Sequence, residues 1–229
     1  MQKFIYTPPT DPLKILFEDQ DLIVIDKPSG LLSVPGRLLE HKDSALSRIL
    51  EHHTDAMAVH RLDMDTSGLM VFALSKRAVS ALGKMFIQKA VTKEYIAAVR
   101  GEVLDKGQVD LPIRCDLENR PLQIVDFAQG KPSLTLYEPT YKFELSDNIF
   151  YKDKVSILKL TPITGRSHQL RLHLASIGHA ILADRFYGGD SAQNEAKRLC
   201  LHACKLEFLH PFSQESLSFY SQADFLVSK

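Results

Sequence analysis

The stretch AVHRLDMDTSG, residues 58–68, is polar and turn-rich, and it runs without a break into LMVFALS, residues 69–75. Seven residues with hardly a polar atom among them do not alternate, so they predict a strand covered on both faces and not an edge strand with one wet side. The loop in front is therefore anchored to the core, and its polar groups are held on a rigid support. Asp63 and Asp65 lie in that loop. Carboxylates in such a place either satisfy loop backbone through local hydrogen bonds or do chemistry, and position alone leaves both open.

Outward from this strand, LKILFED (13–19) and LIVIDKPSG (22–30) predict a short strand pair, the second ending in a Pro-Ser-Gly turn. Ser44 is a candidate cap for a helix through SALSRILEHH, with Leu46, Ile49 and Leu50 at helical spacing. RAVSALGKMFIQKA (77–90) repeats Val79, Leu82, Phe86 and Ile87 on one helical face. KEYIAAVRG (93–101) and VSILKLTPI (155–163) predict strands on either side of a Pro-containing middle section. HQLRLHLASIG (168–178) predicts a helix with Leu170, Leu174 and Ile177 on one face and Gly178 as its stop. Strand signals outnumber helices and do not alternate with them regularly, which predicts an α+β domain with a mixed, largely antiparallel sheet. No internal repeat, low-complexity tract or linker interrupts the sequence, so one domain over 1–229 is expected.

Composition bounds the function. With 229 residues and 45% hydrophobic content the chain can bury a sizeable core. Every apolar stretch is cut by Lys, Asp or Gln well before the roughly 18 to 20 residues of a membrane span, and MQKFIYTPPTDP lacks the apolar centre of a signal peptide. A cytoplasmic protein without a membrane partner is expected. Lys plus Arg and Asp plus Glu both total 28, so net charge announces no nucleic acid. A basic run nevertheless extends from Lys159 to Lys205, with Arg166, His168, Arg171, His173, Arg185, Lys197 and Arg198. It fits a basic cleft or a solvated face equally well. Cys200, His202, Cys204 and His210 raise a zinc cluster, but LCLHACKLEFLH alternates as a half-buried strand does, and packing accounts for it better.

The fingerprints of several chemistries are missing: GxxxxGK, GxGxxG opening a helix, HExxH and GxSxG. Carboxylates and arginines remain. TGRSHQLRLH (164–173) stands at a strand-to-helix junction, where helix amides and Arg166 favour an anion. Arg166, His168 and His173 read equally well as surface or helix-face residues.

HRLDMDTSGLMVFALSK (60–76) carries HRLDxxTSG, and in this it resembles the RluA-type pseudouridine synthases around their catalytic aspartate. IVIDKPSGLLSVPGR resembles the family's first motif, KEYIAAVRG its tyrosine-bearing strand and LTPITGRSHQLRLHL its arginine-bearing motif. The four lie in order between Leu13 and about His210. Asp26 stands where many relatives have Asn. SVPGR, EHKDS, DLPIRCDLENRP and GKP extend the likeness to the short, dual-specificity members, and an S4-like RNA-binding domain is not expected ahead of the first motif.

The resemblance implies the pseudouridine synthase fold, with helices flanking the sheet and a basic active-site cleft. It implies isomerisation of uridine in 23S ribosomal RNA and in a tRNA anticodon stem-loop, by a monomer that needs no cofactor or metal and does not act on DNA. Asp63 becomes the essential carboxylate, acting on the sugar as nucleophile or as base. Arg166 pairs with it, and Tyr95 stacks on uracil with its hydroxyl near the C5 proton. Arg61 takes the place of an extruded nucleotide. His60 and Thr66 shape the loop, and Arg171 completes the set expected to meet RNA. Two alternatives remain: a non-catalytic RNA-binding module of the same fold, and a carboxylate-dependent glycosidase-like hydrolase using Asp63 with a second acid, for which Asp65 is too close in sequence.

Overall fold

The computed structural model describes residues 5–228 and divides the chain into two compact units, residues 5–92 with 203–221 and residues 93–202 with 222–228. In chain order the first unit begins with β1 (Lys14–Glu18), β2 (Leu22–Lys27), α1 (Ala45–Leu50), β3 (Met57–Ala58), β4 (Ser67–Ala73) and α2 (Lys76–Ile87). The second holds β5 (Thr92–Arg100), β6 (Gly107–Asp110), β7 (Ile113–Cys115), β8 (Gln123–Val125), β9 (Leu134–Pro139), β10 (Phe143–Leu145), β11 (Val155–Pro162) and α3 (Gln169–Ser176). The chain then adds β12 (Leu201–Leu209) and β13 (Ser216–Tyr220) to the first unit and β14 (Leu226–Ser228) to the second.

In the first unit the strands lie in the order β1-β2-β4-β12, with β13 on β12 and β3 on β4. All seven residues of β4 are buried, as its unbroken apolar run predicts. Alternation divides them between two faces. Leu69, Val71 and Ala73 join Leu22, Val24, Leu206 and Phe208 under α2, which contributes Ala78 and Leu82. Met70 and Phe72 point the other way and are equally inaccessible. Glycine is required at one point: Gly68 has φ +113°, and a Cβ there would stand 2.3 Å from the Ala203 carbonyl oxygen.

Ser44 caps α1 as expected and forms a reciprocal capping box with Ser47. The helix stops at Leu50, before His53, and Ala45 and Ile49 carry its buried face while Leu46 and Leu50 are half-buried. In α2, Val79, Leu82 and Phe86 face the core, but Ile87 is 83% exposed. Ile87 is the last helical residue and lies about 100° round from Phe86, off the stripe.

In the second unit β5, β11, β9 and β6 form consecutive antiparallel pairs, while β10 pairs with β14 and β7 with β8. The middle section, unassigned from sequence, is thus built of short strands, most of them only three or four residues. α3 buries Leu170 and Leu174, and Gly178 ends it with φ +85°. Ile177 is a correction: it caps the helix and is 37% exposed. Arg171 is another. It is buried and ion-paired with Asp184, where RNA-facing exposure was expected.

β12 matches the strand expected over LCLHACKLEFLH. Its residues from Leu201 to Cys204 are buried, and burial pushes the Cys200 thiol up to about 12, that of a structural and unreactive cysteine. Among the described residues no three His, Cys, Asp or Glu are grouped to hold a metal, and no helix is long and apolar enough to cross a membrane.

Candidate active site

In the first unit, the polar loop between β3 and β4 carries His60, Arg61, Asp63 and Thr66. The Pro-Ser-Gly turn after β2 grips its backbone. Lys27 is wholly buried, and its Nζ donates to the carbonyls of Met64 (3.1 Å), Leu31 (2.8 Å) and Pro28 (2.9 Å). The Ser29 hydroxyl donates to the Asp65 carbonyl at 2.6 Å, and the Gly30 N–H donates to Met64 O at 2.9 Å. Ser33 works in both directions on Leu62, donating to its carbonyl at 2.6 Å and accepting from its N–H at 3.1 Å. The backbone is thus fixed on both sides of Asp63, whose carbonyl accepts from the Thr66 N–H at 3.2 Å to close the turn.

Asp63 itself is half-buried and Arg61 is exposed. His60 and Thr66 look inward. His60 Nε2 accepts from the Val71 N–H at 3.1 Å and its ring stacks on Phe86 at 4.6 Å, while Thr66 is buried. His60 therefore ties the loop to β4 and α2, and Thr66 is packed inside, which accords with a loop-shaping role. Lys27 and Ser29 escaped notice because a Lys-Pro-Ser-Gly string signals a turn without showing what its side chains reach, and Ser33 because its partner Leu62 is 29 residues away.

In the second unit, Tyr95 is half-buried on β5, in register with Leu160 of β11. The turn after β11 bears Arg166. Its side chain is exposed, and Nε and Nη2 make only long contacts to the Pro132 carbonyl, 3.4 and 3.5 Å. Its main-chain N–H donates to Gln169 Oε1 at 3.0 Å. His168 has the left-handed φ of +53°, stacks on Phe186 at 5.4 Å, and its Nδ1 lies 2.8 Å from the Tyr187 hydroxyl, which also accepts from the Gln123 N–H at 2.9 Å.

Beneath this turn Arg171 makes a two-pronged ion pair with Asp184, at 2.8 and 2.7 Å, and lies over the rings of Phe186 and Tyr187. Asp184 Oδ1 also accepts from the Phe186 and Tyr187 amides. Of the basic run, then, Arg171 serves the interior, Arg198 pairs with Asp224, and Arg166 remains on the surface. His173 is buried; desolvation holds its pKa below the usual histidine range, against the opposing pull of the Leu111 carbonyl and Asp110.

The aspartate loop, braced by buried Lys27 and Ser33, and the arginine-bearing turn on an antiparallel sheet carry the HRLDxxTSG and TGRSHQLRLH motifs. The RNA pseudouridylate synthase family profile matches residues 21–176, and the chain belongs to that family. It is accordingly an isomerase that makes pseudouridine in RNA.

The likeness reaches particular members. The chain is 50% identical over 222 residues to the dual-specificity RNA pseudouridine synthase RluA of Vibrio parahaemolyticus, covering 96% of this chain and 87% of that one. It is 51% identical to RluA of Pasteurella multocida (93% and 95% covered) and 47% identical to RluA of Escherichia coli K12 (96% and 98%). Among solved structures, human RNA pseudouridylate synthase domain containing 1 superimposes with a TM-score of 0.75 at 28% identity, over 96% of this chain and 87% of that one.

Proposed function

We propose that this enzyme modifies uridines in two RNAs, 23S ribosomal RNA and a tRNA anticodon stem-loop, with Asp63 as its catalytic carboxylate. The observation that carries this reading is near full-length identity of about one half to three relatives named as dual-specificity synthases. Two unlike RNAs are served by recognition of loop shape more than of sequence.

The reaction breaks the bond from uracil N1 to ribose C1′ and forms one from C5 to C1′. C5 loses a proton and N1 gains one, so atoms and electrons balance within the nucleotide. What is needed is an ionised carboxylate acting on the sugar, a pocket that retains the loose base, and a group near the C5 proton. Asp63 supplies the first. Tyr95 supports the base with its ring and meets the C5 proton with its hydroxyl. Arg166, exposed on its turn, is the cation assigned to favouring the carboxylate's charged form during the reaction. Arg61 fills the stack that the extruded nucleotide leaves; its exposure supports that role. The enzyme works in the cytoplasm as a monomer, without cofactor or metal, and acts on neither DNA nor a membrane.

The test is tritium release from RNA labelled at uracil C5, with wild type and Asp63→Ala compared on a tRNA anticodon stem-loop and on 23S fragments. Wild type is expected to release tritium from both RNAs, and Asp63→Ala from neither while keeping its thermal melt and RNA affinity. Turnover by Asp63→Ala near the wild-type rate would refute the catalytic role. Release from one RNA alone would refute the substrate pair, and release from neither would favour the RNA-binding module.

A further inference from the structure

The second unit contains a buried hydrogen-bond relay that ends on the main chain of Arg166. Gln169, Thr135 and His173 are 3%, 0% and 0% exposed. Gln169 Nε2 donates to Leu134 O and to Thr135 Oγ1, each at 3.0 Å. Its Oε1 accepts from the Thr164 hydroxyl at 2.8 Å and from the Arg166 N–H at 3.0 Å. Turning the amide over would set an NH2 group against the Arg166 N–H, donor facing donor, so the orientation is determined by chemistry.

The rest of the relay is determined in the same way. His173 Nε2 lies 2.9 Å from the Leu111 carbonyl, which can only accept, so Nε2 carries the imidazole proton. His173 Nδ1, 2.9 Å from Thr135 Oγ1, is then an acceptor. The Thr135 hydroxyl must donate to it, since its oxygen already accepts from Gln169. A single direction therefore runs through the chain Leu111, His173, Thr135, Gln169 and Arg166.

We propose that Gln169, Thr135 and His173 are positioning residues for Arg166. The turn needs such a hold: His168 is left-handed, and the Arg166 guanidinium is otherwise tethered only by its two long contacts to Pro132 O. The relay holds the Arg166 N–H, and the Arg166 carbonyl accepts from the Gln169 N–H at 3.2 Å, so the side chain starts from a backbone fixed on both sides of its Cα. This rests on the reading that Arg166 takes part in the reaction, and the test separates the two.

Thr135→Val keeps shape and removes the hydroxyl, whereas Thr135→Ser keeps the hydroxyl. Steady-state tritium release over a range of RNA concentrations is measured for both, for Arg166→Ala and for Thr135→Val combined with Arg166→Ala, with thermal melts alongside. Thr135→Val should lower kcat about tenfold with KM unchanged, Thr135→Ser should stay within about twofold of wild type, and Thr135→Val should cost nothing further once Arg166 is Ala. Full activity in Thr135→Val, or the same loss in the Arg166→Ala background, would overturn the proposal. Thr135→Ala replaces Thr135→Val if the latter does not melt cooperatively, and failure of both would show the relay to be support for the fold alone. An Arg166→Ala enzyme as fast as wild type would instead bring down the reading of Arg166, and the positioning role with it.

Discussion

Gly68 and Ala203 are in backbone contact: a Cβ on Gly68 would lie 2.3 Å from the Ala203 carbonyl oxygen and 2.6 Å from its nitrogen. Backbone cannot yield as a side chain can, and φ of +113° is itself strained for any other residue. Gly68→Ala should therefore destabilise by about 3 kcal/mol or more, read as a lowered urea midpoint. An unchanged midpoint would mean that β4 and β12 do not approach as described.

The ammonium of Lys27 meets three carbonyls, and one of them belongs to Met64, next to Asp63. Lys27→Met removes all three donors while roughly preserving the stem. The Met64 carbonyl would keep the Gly30 N–H, while each buried carbonyl left without a partner costs about 1–3 kcal/mol. We expect a lower melting temperature together with a fall in kcat at saturating RNA. Wild-type kcat in a folded Lys27→Met enzyme would show that the Asp63 loop keeps its geometry without the clamp.

Arg171 and Arg61 should behave oppositely. Removing one partner of a buried ion pair costs about 3–5 kcal/mol, so Arg171→Met should unfold at markedly lower denaturant. Whatever remains folded should bind RNA with the wild-type dependence on salt. Arg61→Ala should leave stability within about 0.5 kcal/mol of wild type and reduce turnover. RNA binding that loses salt dependence in Arg171→Met would place that guanidinium on phosphate after all.

His173 makes stability depend on pH. Its folded pKa lies below that of the unfolded chain because burial disfavours the charged form. The unfolded state therefore takes up the proton first, and stability rises with pH in the window below about 6.5. The contribution is full above the unfolded pKa and is lost as pH falls toward the folded one. Protonation would also put a proton on Nδ1, where the Thr135 hydroxyl donates. Denaturation curves at pH 7.5 and 5.5 should diverge more for wild type than for His173→Gln; equal divergence would assign the acid sensitivity elsewhere.

Much of the site could be read from the chain because its parts are contiguous. The loop around Asp63 and the strand that carries it are one run of residues. Ser44, at the head of α1, and Gly178, just past α3, mark helix ends by chemistry local to them. Local signals fail where the partner is distant in sequence. Arg171 in a basic run looks like a surface cation until Asp184 appears 13 residues on. Lys27 looks like part of a turn until the Met64 carbonyl, 37 residues on, accepts its hydrogen bond. The short strands β6, β7, β8 and β10 escape for a related reason, since three or four residues hold too little periodicity to register.

The sequence by itself determined the α+β class, the buried β4, the loop bearing Asp63 and, by resemblance, the family and its chemistry, because periodicity, capping and contiguous motifs act over a few residues. Only the tertiary structure decided which polar residues are surface and which are scaffold. Burial of Lys27, Arg171, Gln169 and His173 is tolerable only where every donor and acceptor finds a partner, and those partners come from segments that only folding brings together.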